Sequence, residues 1–324
     1  MLNKNFRIEA LLDKYSTLWG GDERFDLLKL QLLTLYAEIK LCRCLHQPPL
    51  ECLDKIMNGM RQGEATTPNL RFLQLITATC DGKSASFSNS IHSQDETAAR
   101  ESAQLKLLRG GLDFCSNFPQ QSNIASLLPL VMSTMARIVS LGPKVISEKQ
   151  IAVIFPTLSR FNSIKQKLNG LENGRYLILS FLLVNHKSCI SHFVPLILSS
   201  INHFTVSAVF FGKQTNKMGK SDLKLAMQCA EYVSRILQII ASNHSSCFKR
   251  CVPYLISRHL HQVTTVTLLP SVKNLLDVGI YHLLSITDEF SISMLKASLP
   301  MGDKEVFRKL HCDFVKYFKY MGHV

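Results

Sequence analysis

Phe25-Asp-Leu-Leu-Lys-Leu-Gln-Leu-Leu-Thr-Leu-Tyr-Ala-Glu-Ile-Lys-Leu-Cys42 places apolar side chains at Phe25, Leu28, Leu32, Leu35, Ile39 and Cys42. Steps of three, four, three, four and three keep all six on one face of an α-helix, a spacing that a strand with its period of two cannot use. The same pattern recurs along most of the chain. It predicts further helices at 5–16, 50–60, 69–79, 101–117, 124–141, 147–160, 175–185, 190–204, 222–242, 252–262, 270–286, 291–299 and 304–320. The one contrary stretch is Phe204-Thr-Val-Ser-Ala-Val-Phe-Phe211, whose β-branched and aromatic residues suit a strand. It continues an apolar helical pattern, so a strand is the lesser reading. The expected class is all-α.

Punctuation agrees with this reading. Ser147 followed by Gln150 is a capping-box pattern, and Asp303 stands one residue before the last expected helix as an N-cap. Gly142-Pro143 should stop the helix before it, because glycine accepts the left-handed cap and proline cannot continue the ladder. Pro195 and Pro253 are expected near helix starts or at kinks. Asp288-Glu289 reads as a turn or helix start. Many amphipathic helices of about 10–20 residues, joined by short turns, suit stacked antiparallel pairs. The expected architecture is an irregular α-solenoid of HEAT or armadillo type with a C-terminal helical cap; a globular helical array is the alternative.

Composition bounds the rest. The chain has 324 residues, 46% of them hydrophobic, with 15 Gly and 11 Pro, which supplies a core and excludes global disorder. Ten cysteines are too sparse for a small disulfide scaffold, and no signal-peptide pattern precedes them, so the thiols are read as reduced and intracellular. The most apolar run, 176–184, stops far short of the ~20 residues a spanning helix needs, and no membrane contact is expected. The net charge is +13. Residues 1–100 are neutral, with 12 cationic and 12 acidic side chains, whereas 101–324 hold 25 against 12. A basic field favours an anionic partner, of which nucleic acid is the commonest large one. The serine-rich stretch 81–102 coincides with the change and reads as a mobile loop. It divides neutral N-terminal helices at 1–80 from a basic helical domain at 103–324.

Within the basic part, Gly212-Lys-Gln-Thr-Asn-Lys-Met-Gly-Lys-Ser221 separates two apolar helices. Its end, Met218-Gly219-Lys220-Ser221, resembles a phosphate-binding loop, but that motif needs glycine where Gln214 stands and a buried strand before it. Lys213, Lys217, Lys220 and Lys224 are spaced by four, three and four, so they share one face if the following helix extends backwards. They are the candidate RNA contacts; a solvated lysine face is the plain reading. Cys42, Cys44 and His46 form one possible ligand cluster, and His244, Cys247, Cys251, His259 and His261 a second. Neither has paired Cys-x-x-Cys knuckles, and buried reduced thiols explain both, so no metal site is assigned. No catalytic constellation stands out. The chain is expected to be no enzyme, with no cofactor and no small-molecule substrate.

The C-terminal stretch is the most individual. Val272, Leu275, Leu276, Gly279, Ile280 and Leu283 form one apolar stripe, with Gly279 admitting a close helix crossing. Phe307, Leu310, Phe314, Tyr317 and Phe318 form another on the final helix, and the two should pack together. The proline-led helix into Gly279-Ile280-Tyr281-His282-Leu283-Leu284, then Met294-Leu295, Val306-Phe307, Leu310, Asp313 and an aromatic-lysine tail resembles a known family. It is similar to the C-terminal domain of the nucleolar pre-ribosomal RNA processing family called unhealthy ribosome biogenesis protein two, or nucleolar pre-ribosomal-associated protein two. Pro270, Gly279, Tyr281, Leu284, Phe307, Leu310 and Tyr317 carry the motif, and Phe314 stands where tyrosine is expected. A weaker likeness runs upstream through 175–184. The resemblance implies a non-catalytic helical scaffold of the nucleolus or nucleus. Large-subunit precursor particles, other assembly factors including a helicase, and precursor ribosomal RNA would be its setting. Family members are longer, so the chain looks like their C-terminal portion. The alternative is a HEAT-like adaptor in transport or signalling with no RNA role.

Overall fold

A computed structural model describes residues 128–143, 146–162, 171–214 and 219–319, with the single positions Arg109 and Leu112. The helices expected before residue 101, the ladder Phe25–Cys42 among them, and the loop expected at 81–102 lie outside the described residues. Every described element is helical apart from one isolated antiparallel bridge. The class is all-α.

The chain divides into two compact units, Met1–Thr157 with Gln166–Ile178 and Leu158–Lys165 with Leu179–Val324. In the first, α1 (Leu128–Ser140) buries Val131, Met132, Met135 and Ile138 along one stripe. Gly142, at φ 78, ends it as expected. Ser147 then starts α2 (Glu148–Asn162): the Gln150 side chain accepts from the Ser147 backbone N–H at 2.8 Å and from its hydroxyl at 3.1 Å. That is the return half of a capping box. α3 (Leu171–Asn185) begins a turn before the expected start. A Cβ on Gly174 would lie 2.6 Å from the Cβ of Met132, so only glycine permits this approach of α3 to α1. Arg175, buried in the following turn, pairs with Glu172 at 2.6 Å.

The second unit is built around α4 (Ile190–Phe211), which runs through the stretch suited to a strand. Its buried residues Ile197, Ile201, Phe204 and Ala208 keep the helical period, and Thr205 returns its hydroxyl to the carbonyl of Ile201 at 3.0 Å. Tertiary burial at that spacing overrides β-propensity. With 22 residues and a mean hydropathy of 1.6, α4 is long and apolar enough to cross a membrane, which the shorter run 176–184 had not suggested. Here it packs its buried stripe against α5 (Lys220–Asn243) and α6 (Val252–Thr264). A short helix at Ser245–Phe248 and a 3₁₀ turn at Lys249–Cys251 lead into α6, where Pro253 sits near the start. Pro195 lies inside α4, close to its start.

α7 (Pro270–Ser285) crosses α5 closely. A Cβ on Gly279 would stand 3.2 Å from both the Cα of Ser234 and the Cδ1 of Leu237, so the expected close crossing is present. Directions follow from such contacts. Gly212 at the end of α4 touches Val272 at the start of α7, while Gly279 meets the middle of α5, so α5 and α7 run the same way. Asn202 of α4 accepts from Arg258 and Gln262 of α6, both at 2.7 Å, and the bridge of Lys213 to Leu268 joins the chain just past the end of each, so those two helices also run in one direction.

The C-terminal elements are α8 (Glu289–Ser298), α9 (Met301–Asp313) and a π-helical turn at Phe314–Phe318. Asp288 caps α8, its Oδ1 accepting from the N–H of Ser291 at 2.8 Å. Asp303 is not an N-cap, contrary to expectation. Pro300 precedes the first residue of α9, and Asp303 lies buried in the first turn, where its Oδ1 accepts from the Thr264 hydroxyl at 2.6 Å. The expected final stripe also breaks. Phe307, Leu310 and Phe314 are buried, but Tyr317 is 57% exposed with Lys316 over its ring. The wider π turn, closed by Lys319 N–H onto the carbonyl of Phe314, rotates Tyr317 outward and leaves Phe318 against Tyr281 and His282.

Candidate nucleic-acid interface

Four elements meet at one end of the second unit: the end of α4, the loop after it, and the starts of α5 and α7. The loop's first residues are pinned. Leu269 N–H donates to the carbonyl of Gly212 at 3.1 Å and Gln214 N–H to that of Thr267 at 3.0 Å, bracketing the bridge between Lys213 and Leu268. Gly212 is required there. Its Cβ would fall 2.6 Å from the carbonyl oxygen of Ala208 and 3.0 Å from the Cγ1 of Val272.

The four candidate lysines divide accordingly. Lys213 belongs to the bridge and Lys217 lies outside the described residues. Lys220 and Lys224 sit one turn apart on α5, which starts at Lys220 after an extended Gly219. The helix therefore does not extend back past Gly219, and Lys213 does not share its face with Lys220 and Lys224. Lys213, Lys220 and Lys224 are all exposed. Lys213 lies in the bridge just past α4, and Lys220 and Lys224 lie on the first turns of α5, where the positive end of that helix dipole adds to their charge. Such an arrangement attracts phosphates electrostatically and has no means of reading sequence. Gly219 precedes a helix and follows α4, so no strand sits where a phosphate-binding loop requires one.

One neighbour escaped the sequence reading. Phe210, the penultimate residue of α4, is 64% exposed, and the Lys213 ammonium lies 5.7 Å from the centre of its ring. Phe211 meets that ring edge-on at 5.1 Å. The signal was the Phe-Phe pair running directly into the basic loop.

Of the two possible ligand clusters, the structure describes one. Cys42, Cys44 and His46 lie outside the described residues. In the second cluster, the buried His244 ring bonds the carbonyl of Leu183 at 2.6 Å, Cys247 and Cys251 are half-buried, and His261 faces solvent. Among the described residues, no three ligating side chains gather. Burial displaces two ionisable groups furthest from their ordinary values. His259, 5% exposed beside a cavity of about 20 Å³ lined by Leu237, Ile280 and Leu283, has its pKa pushed down to about 4. Burial raises Asp277 to about 6, with Lys273 opposing and Asp313 reinforcing the shift. They lie on α6 and α7 apart from the lysine end.

The motif residues are mostly structural. Gly279, Leu284, Phe307 and Leu310 are buried, Pro270 opens α7, and Tyr281 packs on Phe314 and Phe318. Pro270 and Tyr317 are the exposed ones among them.

No solved structure matches the chain. The profile of the Urb2/Npa2 family matches residues 129–323, which spans both units and every motif position above. The chain belongs to the Urb2/Npa2 family.

Proposed function

We propose that the chain is a non-catalytic helical scaffold that assembles large-subunit precursor particles and supports precursor ribosomal RNA processing in the nucleolus. Its family implies a role in ribosome biogenesis, and the match over 129–323 is the observation that carries the proposal. The finer reading rests on the molecule. α4 and α5 form one hairpin and α6 and α7 the next, with α6 alongside α4 and α7 alongside α5 in the same direction. Such stacking supports an irregular α-solenoid. An excess of 13 positive charges, all within 101–324, supports contact with RNA. Lys213, Lys220 and Lys224 are its exposed contacts, with Lys217 between them in sequence. Assembly factors, a helicase among them, are the protein partners.

The test is depletion and tagging in cells. Nucleolar enrichment, co-sedimentation with large-subunit precursors and accumulation of unprocessed precursor RNA on depletion are expected. A chain confined to the cytoplasm, with normal precursor RNA after depletion, would overturn the proposal and favour the adaptor reading.

A further inference from the structure

We propose that the lysine end binds single-stranded rather than duplex RNA, with Phe210 as the platform on which a base stacks; this rests on the RNA contact proposed above. Lysines alone treat any phosphate chain alike. An aromatic face adds something only an unpaired base can use, because bases in a duplex already stack on each other. Phe210 offers such a face. Its ring is mostly exposed, and Phe211 meets it near-perpendicularly. The Lys213 ammonium lies over one face of the ring, 5.7 Å from its centre, so a base would stack on the other face and its phosphate would meet that cation beside the ring.

The mount is rigid, which lowers the entropy lost on binding. Gly212 packs against Val272 with no room for a side chain, and the pairing of Gly212 and Gln214 with Leu269 and Thr267 fixes the backbone carrying Lys213. Lys220 and Lys224, both exposed, stand one turn apart at the start of α5 and add two further cations. Asp222, the acid in that first turn, is half-buried rather than presented with them. The combination of a stacking ring and successive cations is how sequence-tolerant single-strand binders work.

The purified 324-residue chain is titrated into a fluorescent single-stranded oligouridine of about 12 nucleotides and into a duplex RNA of the same length. Tighter binding to the single strand is expected. Phe210→Ala should weaken that binding roughly tenfold and leave duplex binding unchanged, while Phe210→Trp retains it. Joint replacement of Lys213, Lys220 and Lys224 by Gln should weaken both probes and flatten the salt dependence by about two in the log–log slope. Because Phe210 is exposed, circular dichroism and thermal unfolding of Phe210→Ala should match the parent. Lysine-dependent binding that ignores strandedness and Phe210→Ala would overturn the stacking inference alone. Binding of neither probe would overturn the RNA contact and the inference with it.

Discussion

The seam between α5 and α7 and the outward face of α8 are both apolar, yet they differ in everything that follows. At the seam, Val272, Leu276, Gly279, Ile280 and Leu283 are buried against Val233, Ile236 and Leu237. On α8, Leu295 is buried and the opposite side carries Phe290, 79% exposed, with Met294; Met301 follows at 86%. Apolar residues at helical spacing thus fix that a helix has a face, and only the neighbour's surface decides whether that face is covered. The difference predicts that one substitution chemistry will have opposite weights in the two places.

Leu276→Ala should have the largest effect. Leu276 is wholly buried, and truncation leaves a cavity that a helix held by Gly279 cannot close, so a loss of about 2–5 kcal/mol is expected by denaturant unfolding. A loss below ~1 kcal/mol would mean the seam is loosely packed.

The second effect is acid sensitivity from His259, which sits under the same seam. Its folded pKa, about 4, lies below the ordinary 6.5, so the neutral ring is favoured by folding. The contribution is full above pH 6.5 and is lost as pH falls through 4, about 3 kcal/mol in all. A pH series on the parent and on His259→Leu checks it: the variant should lose that part of the acid slope.

Gly279→Val tests the crossing itself. A Cβ at 3.2 Å from the Cα of Ser234 meets backbone, which cannot swing aside as a side chain does, so about 1–3 kcal/mol should be lost. This crossing was legible in the sequence, because a glycine inside an apolar stripe is unfavourable in a helix unless something needs the room. Gly142 and the Ser147–Gln150 start were legible for similar local reasons. What failed was set from a distance. The lysine register broke because residues 212–214 pair with 267–269, far along the chain, and Tyr317 turned out because the last turn widens onto Tyr281. The strand-like Phe204–Phe211 became helix because its burial partners, including Tyr232 at 6.1 Å from Phe204, come from α5. Phe210 was invisible as a surface residue for the same reason.

Asp277 lies on the side of α7 toward the cap and runs opposite to His259. Its folded pKa, about 6, lies above the ordinary carboxylate value of 3.8, so folding favours the protonated acid. That contribution is full below pH 3.8 and is lost as pH rises through 6. Asp277→Asn should stabilise the chain by about 1–2 kcal/mol near neutral pH, discounted for partial exposure, and by nothing near pH 4. Between about pH 6 and 4 the two groups offset each other, so the parent's profile is flatter than either variant's. An Asn variant that is no more stable at neutral pH would place compensating charge from Lys273 or Lys309 on the carboxylate.

The smallest effect belongs to the other side of the comparison. Phe290→Ser removes as large an apolar side chain as the core contains, yet it should change stability by no more than about 0.5 kcal/mol. The ring has little burial to lose, and the α8 start is held by Asp288 bonding Ser291. Serine is a poorer helix former than some, but at the second residue of α8 that cost is slight. Thermal unfolding of Phe290→Ser beside Leu276→Ala therefore measures coverage, because each removes a large apolar side chain. A loss from Phe290→Ser approaching that of Leu276→Ala would mean the outward face of α8 is covered in the folded chain, and the contrast between the two regions would disappear.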